Sequence, residues 1–301
     1  MVQTQIKANG ITINIEDRGP EGAAPILLVN GYTSTMMSWP VELMEGLRER
    51  GFRVIRYDNR DVGRSEKLTG LPDMREIIAA VRAGKTPELP YMLADMATDG
   101  IGVLDALGIE RAHVMGISMG GMIVQRMAIH HADRLISATS IMSTTGNPDL
   151  PKASDAAMAA LQAQPPAEDR ESIIRHRMKG RRVYESPAYP RSDEALYELV
   201  AREYDHMYYP EGGIRQYAAI GCDGSRVEEL KSVRLPFLVI HGLADPLVPV
   251  EGGIDTAKSV PGATLELIEG MGHDLPVELC PRYVELIAAH AEAAQRKNAA
   301  E

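Results

Sequence analysis

Ser118 stands in Gly116-Ile117-Ser118-Met119-Gly120, a Gly-x-Ser-x-Gly pentapeptide, and a serine so placed can attack a carbonyl carbon. A hydroxyl is a poor nucleophile until an imidazole takes its proton and a carboxylate orients that imidazole. The chain supplies both groups downstream, in the order serine, acid, histidine. Asp245 lies in His241-Gly242-Leu243-Ala244-Asp245-Pro246, directly after the apolar run Leu235–His241. His273 lies in Gly270-Met271-Gly272-His273-Asp274, directly after Ala263–Ile268. Taken singly, a loop aspartate is most often a turn or cap residue, and a lone histidine a surface or core residue. Three such residues in this order, each at the end of its own strand, point to acyl transfer. Ser118 is then the nucleophile, His273 the general base and acid, and Asp245 the orienting carboxylate.

The pentapeptide alone arises by chance in roughly one chain in ten of this length, so the weight falls on its flanks. Before it, Ala112, Val114, Met115 and Ile117 read as a short buried strand. After it, Met119, Met122, Ile123 and Met127 recur at helical spacing. A strand that turns sharply into a helix lifts Ser118 to the helix N-terminus, where the dipole and free N–H groups favour a developing anion.

The rest of the chain supplies the sheet. Gln3–Ala8 and Ile11–Asp17 flank Asn9-Gly10, the preferred two-residue hairpin turn. Pro25–Val29 is a continuous apolar run, as in a strand covered on both faces. Val41–Arg50 reads as a helix, Phe52–Tyr57 as a strand, Tyr91–Leu107 as a helix and Leu135–Met142 as a strand. Gly252–Ser259 reads as a helix between the last two strands, and Pro276–Ala294 as the closing helix. Strands alternating with helices imply an α/β fold with a doubly wound, mostly parallel sheet. One segment breaks the alternation. Residues 146–231 show no strand, several proline-separated helical pieces and seven of the eleven tyrosines. They are expected to form a helical cap on a core of residues 1–145 and 232–301, with tyrosines at its entrance or in its own core.

Composition narrows the function. The net charge of −10 at pH 7 disfavours a nucleic-acid partner. Cys222 and Cys280 are the two cysteines and match neither a disulfide framework nor a zinc spacing. No apolar stretch approaches the ~18 residues of a membrane span, and MVQTQIKANG lacks a secretory pattern. A cytoplasmic monomer or homodimer with no metal and no cofactor is expected, free of nucleic-acid and membrane partners.

The chain resembles the α/β-hydrolase fold family, and within it the aclacinomycin methylesterase-type carboxylesterases. The resemblance is carried by Leu28-Val29-Asn30-Gly31, by Arg56–Ser65 (RYDNRDVGRS), by the Ser118 pentapeptide, by His241-Gly242 with Asp245, and by Gly270–Pro276 (GMGHDLP). It spans essentially the whole chain and is weakest in the cap. It implies the same Ser118, Asp245 and His273 triad, and an oxyanion hole made of the backbone N–H groups of Met119 and Tyr32. Many members carry His-Gly where this chain has Asn30-Gly31. The working group is a backbone N–H, so the hole is expected to survive. Asp58 and Arg60 match the loop after the 52–57 strand and read as structural. Met142 is a candidate pocket residue, and Trp39 suits the pocket wall or, at least as well, the core. Met36, Met37, Met119 and Met122 suit either an adaptable pocket or core filling.

The expected activity is therefore cleavage of a small-molecule carboxylic ester with a small to medium apolar acyl group. A lactonase, a C–C bond hydrolase, a perhydrolase, a hydroxynitrile lyase or a non-catalytic receptor could be built on the same residues. Other chemistry fits less well. Ala79–Thr86 (AAVRAGKT) ends like a phosphate-binding loop but lacks its first glycine and its strand. His130 and His131 are adjacent and so face apart on a helix, while His176 and His206 read as solvated. Asp149 is the reserve triad acid, and Asp274 reads as the cap of the last helix.

Overall fold

The computed structural model describes residues 3–300 apart from Gly84 and Thr86. Met1 and Val2, and those two residues of the phosphate-loop lookalike, therefore lie outside the described residues. Eight strands form one sheet: β1 (Thr4–Ala8), β2 (Ile11–Arg18), β3 (Ala24–Val29), β4 (Phe52–Tyr57), β5 (Ala112–Ile117), β6 (Leu135–Ile141), β7 (Phe237–Gly242) and β8 (Thr264–Ile268). Their order is β1-β2-β4-β3-β5-β6-β7-β8. The first two junctions are antiparallel and the rest parallel. Asn9 and Gly10 both take positive φ, 47° and 79°, as the hairpin between β1 and β2 requires.

Eleven α-helices accompany the sheet among the described residues: α1 (Val41–Glu49), α2 (Met74–Arg82), α3 (Leu93–Ala106), α4 (Met119–His130), α5 (Asp155–Gln162), α6 (Arg170–Tyr184), α7 (Asp193–Met207), α8 (Pro210–Cys222), α9 (Val227–Leu230), α10 (Glu251–Ser259) and α11 (Cys280–Ala300). Helix α2 gave no sequence signal strong enough to be read. The closing helix begins later than its pattern suggests, after a 3-10 turn at Val277–Leu279.

Two apolar layers cover the sheet. Leu93, Met96, Leu104, Met119, Ile123 and Met127 of α3 and α4 pack with Leu27, Val29 and Val114 on one face. Leu43, Met44 and Leu47 of α1 and Tyr283 and Ile287 of α11 pack with Ile26, Leu28 and Ile240 on the other. Strands covered on both sides read as unbroken apolar runs because neither face meets water; every residue of β5 is buried. Between β6 and β7 the chain forms α5–α9, whose own apolar cluster joins Ile174, Leu196, Val200 and Ala201.

This segment is tied to the loop after β4. Arg215 of α8 bonds Asp61 with two nitrogens, at 2.7 and 3.0 Å, and both side chains are fully buried. His206 of α7 reaches Asp58. The solvated reading of His206 is thereby corrected, because a carboxylate placed there by a distant loop takes its ring out of water.

Candidate active site

Ser118 occupies the turn between β5 and α4 with φ 54° and ψ −120°, a backbone state that an L-residue holds only under constraint. The constraint is visible on both sides. The Ser118 N–H donates to the Ile141 carbonyl at 2.9 Å. Its carbonyl accepts from Gly121 N–H at 2.9 Å and from Ser143 Oγ at 2.8 Å. A Cβ at Gly116 would lie 2.1 Å from the Gly120 carbonyl oxygen, and one at Gly120 would lie 2.1 Å from the Val29 carbonyl oxygen. The motif needs its two glycines because backbone passes backbone there.

His273 Nε2 lies 2.9 Å from Ser118 Oγ, and His273 Nδ1 lies 2.6 Å from Asp245 Oδ2. Residues 155 and 28 positions apart in sequence thus form one hydrogen-bonded chain. Asp245 is fixed by the Leu247 and Val248 N–H groups, which donate to Oδ1 at 2.9 and 2.8 Å. Burial pushes its carboxyl up. The nearby His273, the side-chain bonds of His241 and His273 and the Val248 N–H together outweigh burial and hold it well below the usual carboxylate range. An ionised Asp245 fixes the proton of His273 on Nδ1 and leaves Nε2 free to accept from the serine.

The His273 loop is held from the helical insertion. The His273 N–H donates to the Tyr184 carbonyl at 2.7 Å, and the Tyr184 ring meets the imidazole edge-on at 6.2 Å. The Gly272 N–H donates to Ser186 Oγ at 2.9 Å. Asp274 takes the Ser186 N–H at 2.9 Å and pairs with Arg191 at 3.2 Å. It does not cap the last helix, whose 3-10 entry is preceded by Pro276. Asp149 is exposed on the loop after β6, and the imidazole nitrogen that would need it is bonded to Asp245.

Tyr32 and Met119 flank Ser118. The Met119 N–H opens α4 and has no intrahelical acceptor. A Cβ on Gly31 would lie 3.3 Å from Ser118 Cβ, which brings the Gly31-Tyr32 backbone beside the serine. Asn30 is wholly buried, donating from Nδ2 to the Tyr57 carbonyl and accepting from Asn59 Nδ2 at its own carbonyl. Its side chain is thus engaged with the end of β4 rather than with the cavity. Burial, with Tyr217 nearby, pushes the Tyr32 phenol up to about 12, so it stays a neutral hydroxyl.

Ser118, His273, Tyr32 and Met142 open on a cavity of about 290 Å³ whose other wall comes from α5–α8. Met142 holds a positive φ of 43° at the end of β6. Trp39 does not line this cavity. It is completely buried beside Leu43 and Met44, so of the two places open to it, pocket wall and core, it takes the core. Met119 and Met122 likewise belong to the core by their side chains. Of the insertion's tyrosines, Tyr184, Tyr208 and Tyr209 line the cavity, while Tyr197 and Tyr204 pack between α6 and α7. Ser143 and Tyr184 carried no sequence signal for their places beside Ser118 and His273. Among the described residues no group of three or more His, Cys, Asp or Glu side chains is arranged to hold a metal ion. No described helix is long and apolar enough to cross a membrane.

Comparison with known proteins agrees with this architecture. The rhodomycin D methylesterases DauP of Streptomyces sp. (strain C5) and DnrP of Streptomyces peucetius are each 28% identical, over 98% of this chain and 99% of their own. The meta-cleavage product hydrolase CumD of Pseudomonas fluorescens IP01 superposes with a TM-score of 0.75 at 20% identity, over 97% of this chain and 98% of its own. The alpha/beta hydrolase fold model matches residues 24–278. The chain belongs to the α/β-hydrolase fold family.

Proposed function

We infer that this protein is a serine carboxylesterase acting on small-molecule esters with a small to medium apolar acyl group. The observation that carries the reading is the unbroken chain Ser118 Oγ, His273 Nε2, His273 Nδ1, Asp245 Oδ2 at 2.9 and 2.6 Å, open to a cavity. Two methylesterases similar over nearly their whole length support it. His273 takes the Ser118 proton as Oγ attacks the acyl carbonyl. The tetrahedral oxyanion is met by the Met119 and Tyr32 N–H groups, each such donor contributing about 3–4 kcal/mol. The alcohol leaves with the proton from His273, and water releases the acid from the acyl-enzyme by the reverse route. Residues 146–231 act as the lid that shapes the acyl site.

The test is hydrolysis of p-nitrophenyl esters from acetate to laurate, with wild type beside Ser118→Ala, together with fluorophosphonate labelling. Turnover confined to shorter chains and lost in the variant, with a label on Ser118, is the expected outcome. A folded protein without turnover or label refutes the esterase reading in favour of a receptor. Turnover of a lactone or a C–C substrate in place of esters reassigns the same triad.

A further inference from the structure

Arg177, Arg181 and Tyr184 stand at i, i+4 and i+7 of α6, and all three line the cavity. With a rise of 1.5 Å per residue this stripe is about 10 Å long. Its Tyr184 end is fixed against His273 by the carbonyl and ring contacts described above. Arg181 therefore lies about one turn from the imidazole, and Arg177 about two.

Two guanidinium groups of this wall share one carboxylate. Glu203 of α7 accepts from Arg181 at 2.6 and 2.8 Å, from Ser38 Oγ at 2.8 Å and from Arg177 at 3.4 Å. Glu203 is buried behind the guanidinium groups and is not part of the lining. The lining acids each have a separate cation: Asp274 pairs with Arg191, and Glu185 with Arg182. Arg182 also pairs with Asp193, so it is Arg177 and Arg181 that divide a single carboxylate, Glu203. The weaker share falls on Arg177, whose single bond to Glu203 is long and whose side chain is 21% exposed. A partly desolvated guanidinium with free donors is suited to a planar carboxylate, which it binds with two parallel N–H bonds. The stretch between it and Ser118 is apolar in part, with Met142, Ile117 and Leu275 in the lining.

We propose that the substrate is an ester bearing a second, ionised carboxyl group, remote from the scissile bond, which Arg177 binds while Glu203 holds Arg181 beside it. This rests on the esterase reading above. Arg177 is in this role a specificity residue.

The experiment compares kcat/KM for ester pairs that differ in charge: p-nitrophenyl hemiglutarate against p-nitrophenyl pentanoate, and 4-carboxyphenyl butanoate against phenyl butanoate. One charged member is expected to be preferred about tenfold or more. That ratio is expected to fall towards one in Arg177→Gln, chiefly through KM, and to recover in part in Arg177→Lys. No preference in either pair, or a preference that survives Arg177→Gln, overturns the proposal. If no ester of either pair is hydrolysed, the esterase reading fails, and binding decides the charge reading. Monomethyl glutarate titrated calorimetrically into Ser118→Ala should bind about tenfold more tightly than into the Ser118→Ala, Arg177→Gln double variant; equal or absent binding overturns it.

Discussion

His206, in the last turn of α7, sets its Nε2 2.7 Å from Oδ2 of Asp58, and both side chains are buried. The same carboxylate accepts the Met36 N–H at 2.8 Å, the Arg64 N–H at 2.9 Å and Asn14 Nδ2 at 2.9 Å. One acid thus joins the helical insertion to β2, to the loop after β3 and to the loop after β4. Burial raises its pKa, while His206 and the two backbone N–H groups more than offset this and leave it below the ordinary value.

Asp58→Asn is therefore expected to destabilise the fold by about 3 kcal/mol at neutral pH, because His206 and the N–H groups lose a buried counter-charge. The pH dependence follows from the depressed carboxyl. Its contribution is fully present above the unfolded value of about 4, and it is lost as pH falls through the lower folded value. Urea midpoints measured from pH 7 down to pH 3 should converge for wild type and Asp58→Asn at the acid end. A gap that is constant with pH contradicts this.

Asp245→Asn should lower kcat by about 10³–10⁴-fold, since the amide permits the wrong imidazole tautomer, and should also lower stability at neutral pH, since the depressed carboxyl contributes to folding there. Because Asp245 is held ionised well below the usual carboxylate range, it adds no ionisation of its own to the acid limb of kcat/KM, whose slope should be one. A slope of two tells against this assignment.

Two glycine substitutions should have opposite signs. Gly120→Ala forces a Cβ to 2.1 Å from the Val29 carbonyl oxygen, backbone that has no room to move. It should cost about 3 kcal/mol or more, or prevent folding. Gly221, near the exposed end of α8, has nothing within 4 Å of a built Cβ. Gly221→Ala should stabilise by about 0.5–1 kcal/mol. Thermal melts of the two variants check both signs.

Much of the site was legible along the chain because its parts sit at local punctuation. Ser118 lies in a glycine-bounded turn between a buried strand and an apolar-faced helix, and Asp245 and His273 each follow an apolar run. Those patterns reflect burial and backbone sterics, which act over a few residues. Helix α2 and the partners of Asp274 are not legible there, because their places depend on what the distant chain brings to them.

The sequence by itself determined the doubly wound sheet, the strained serine turn and the order of the three candidate groups, since periodicity and glycine placement encode them locally. Only the tertiary structure decided that Asp58 meets His206 148 residues away, that Arg177 shares Glu203 with Arg181 and has the longer bond, and that Tyr184 braces His273. Each is a through-space match of charge, shape or hydrogen-bonding capacity between segments whose separation in sequence carries no trace of their contact.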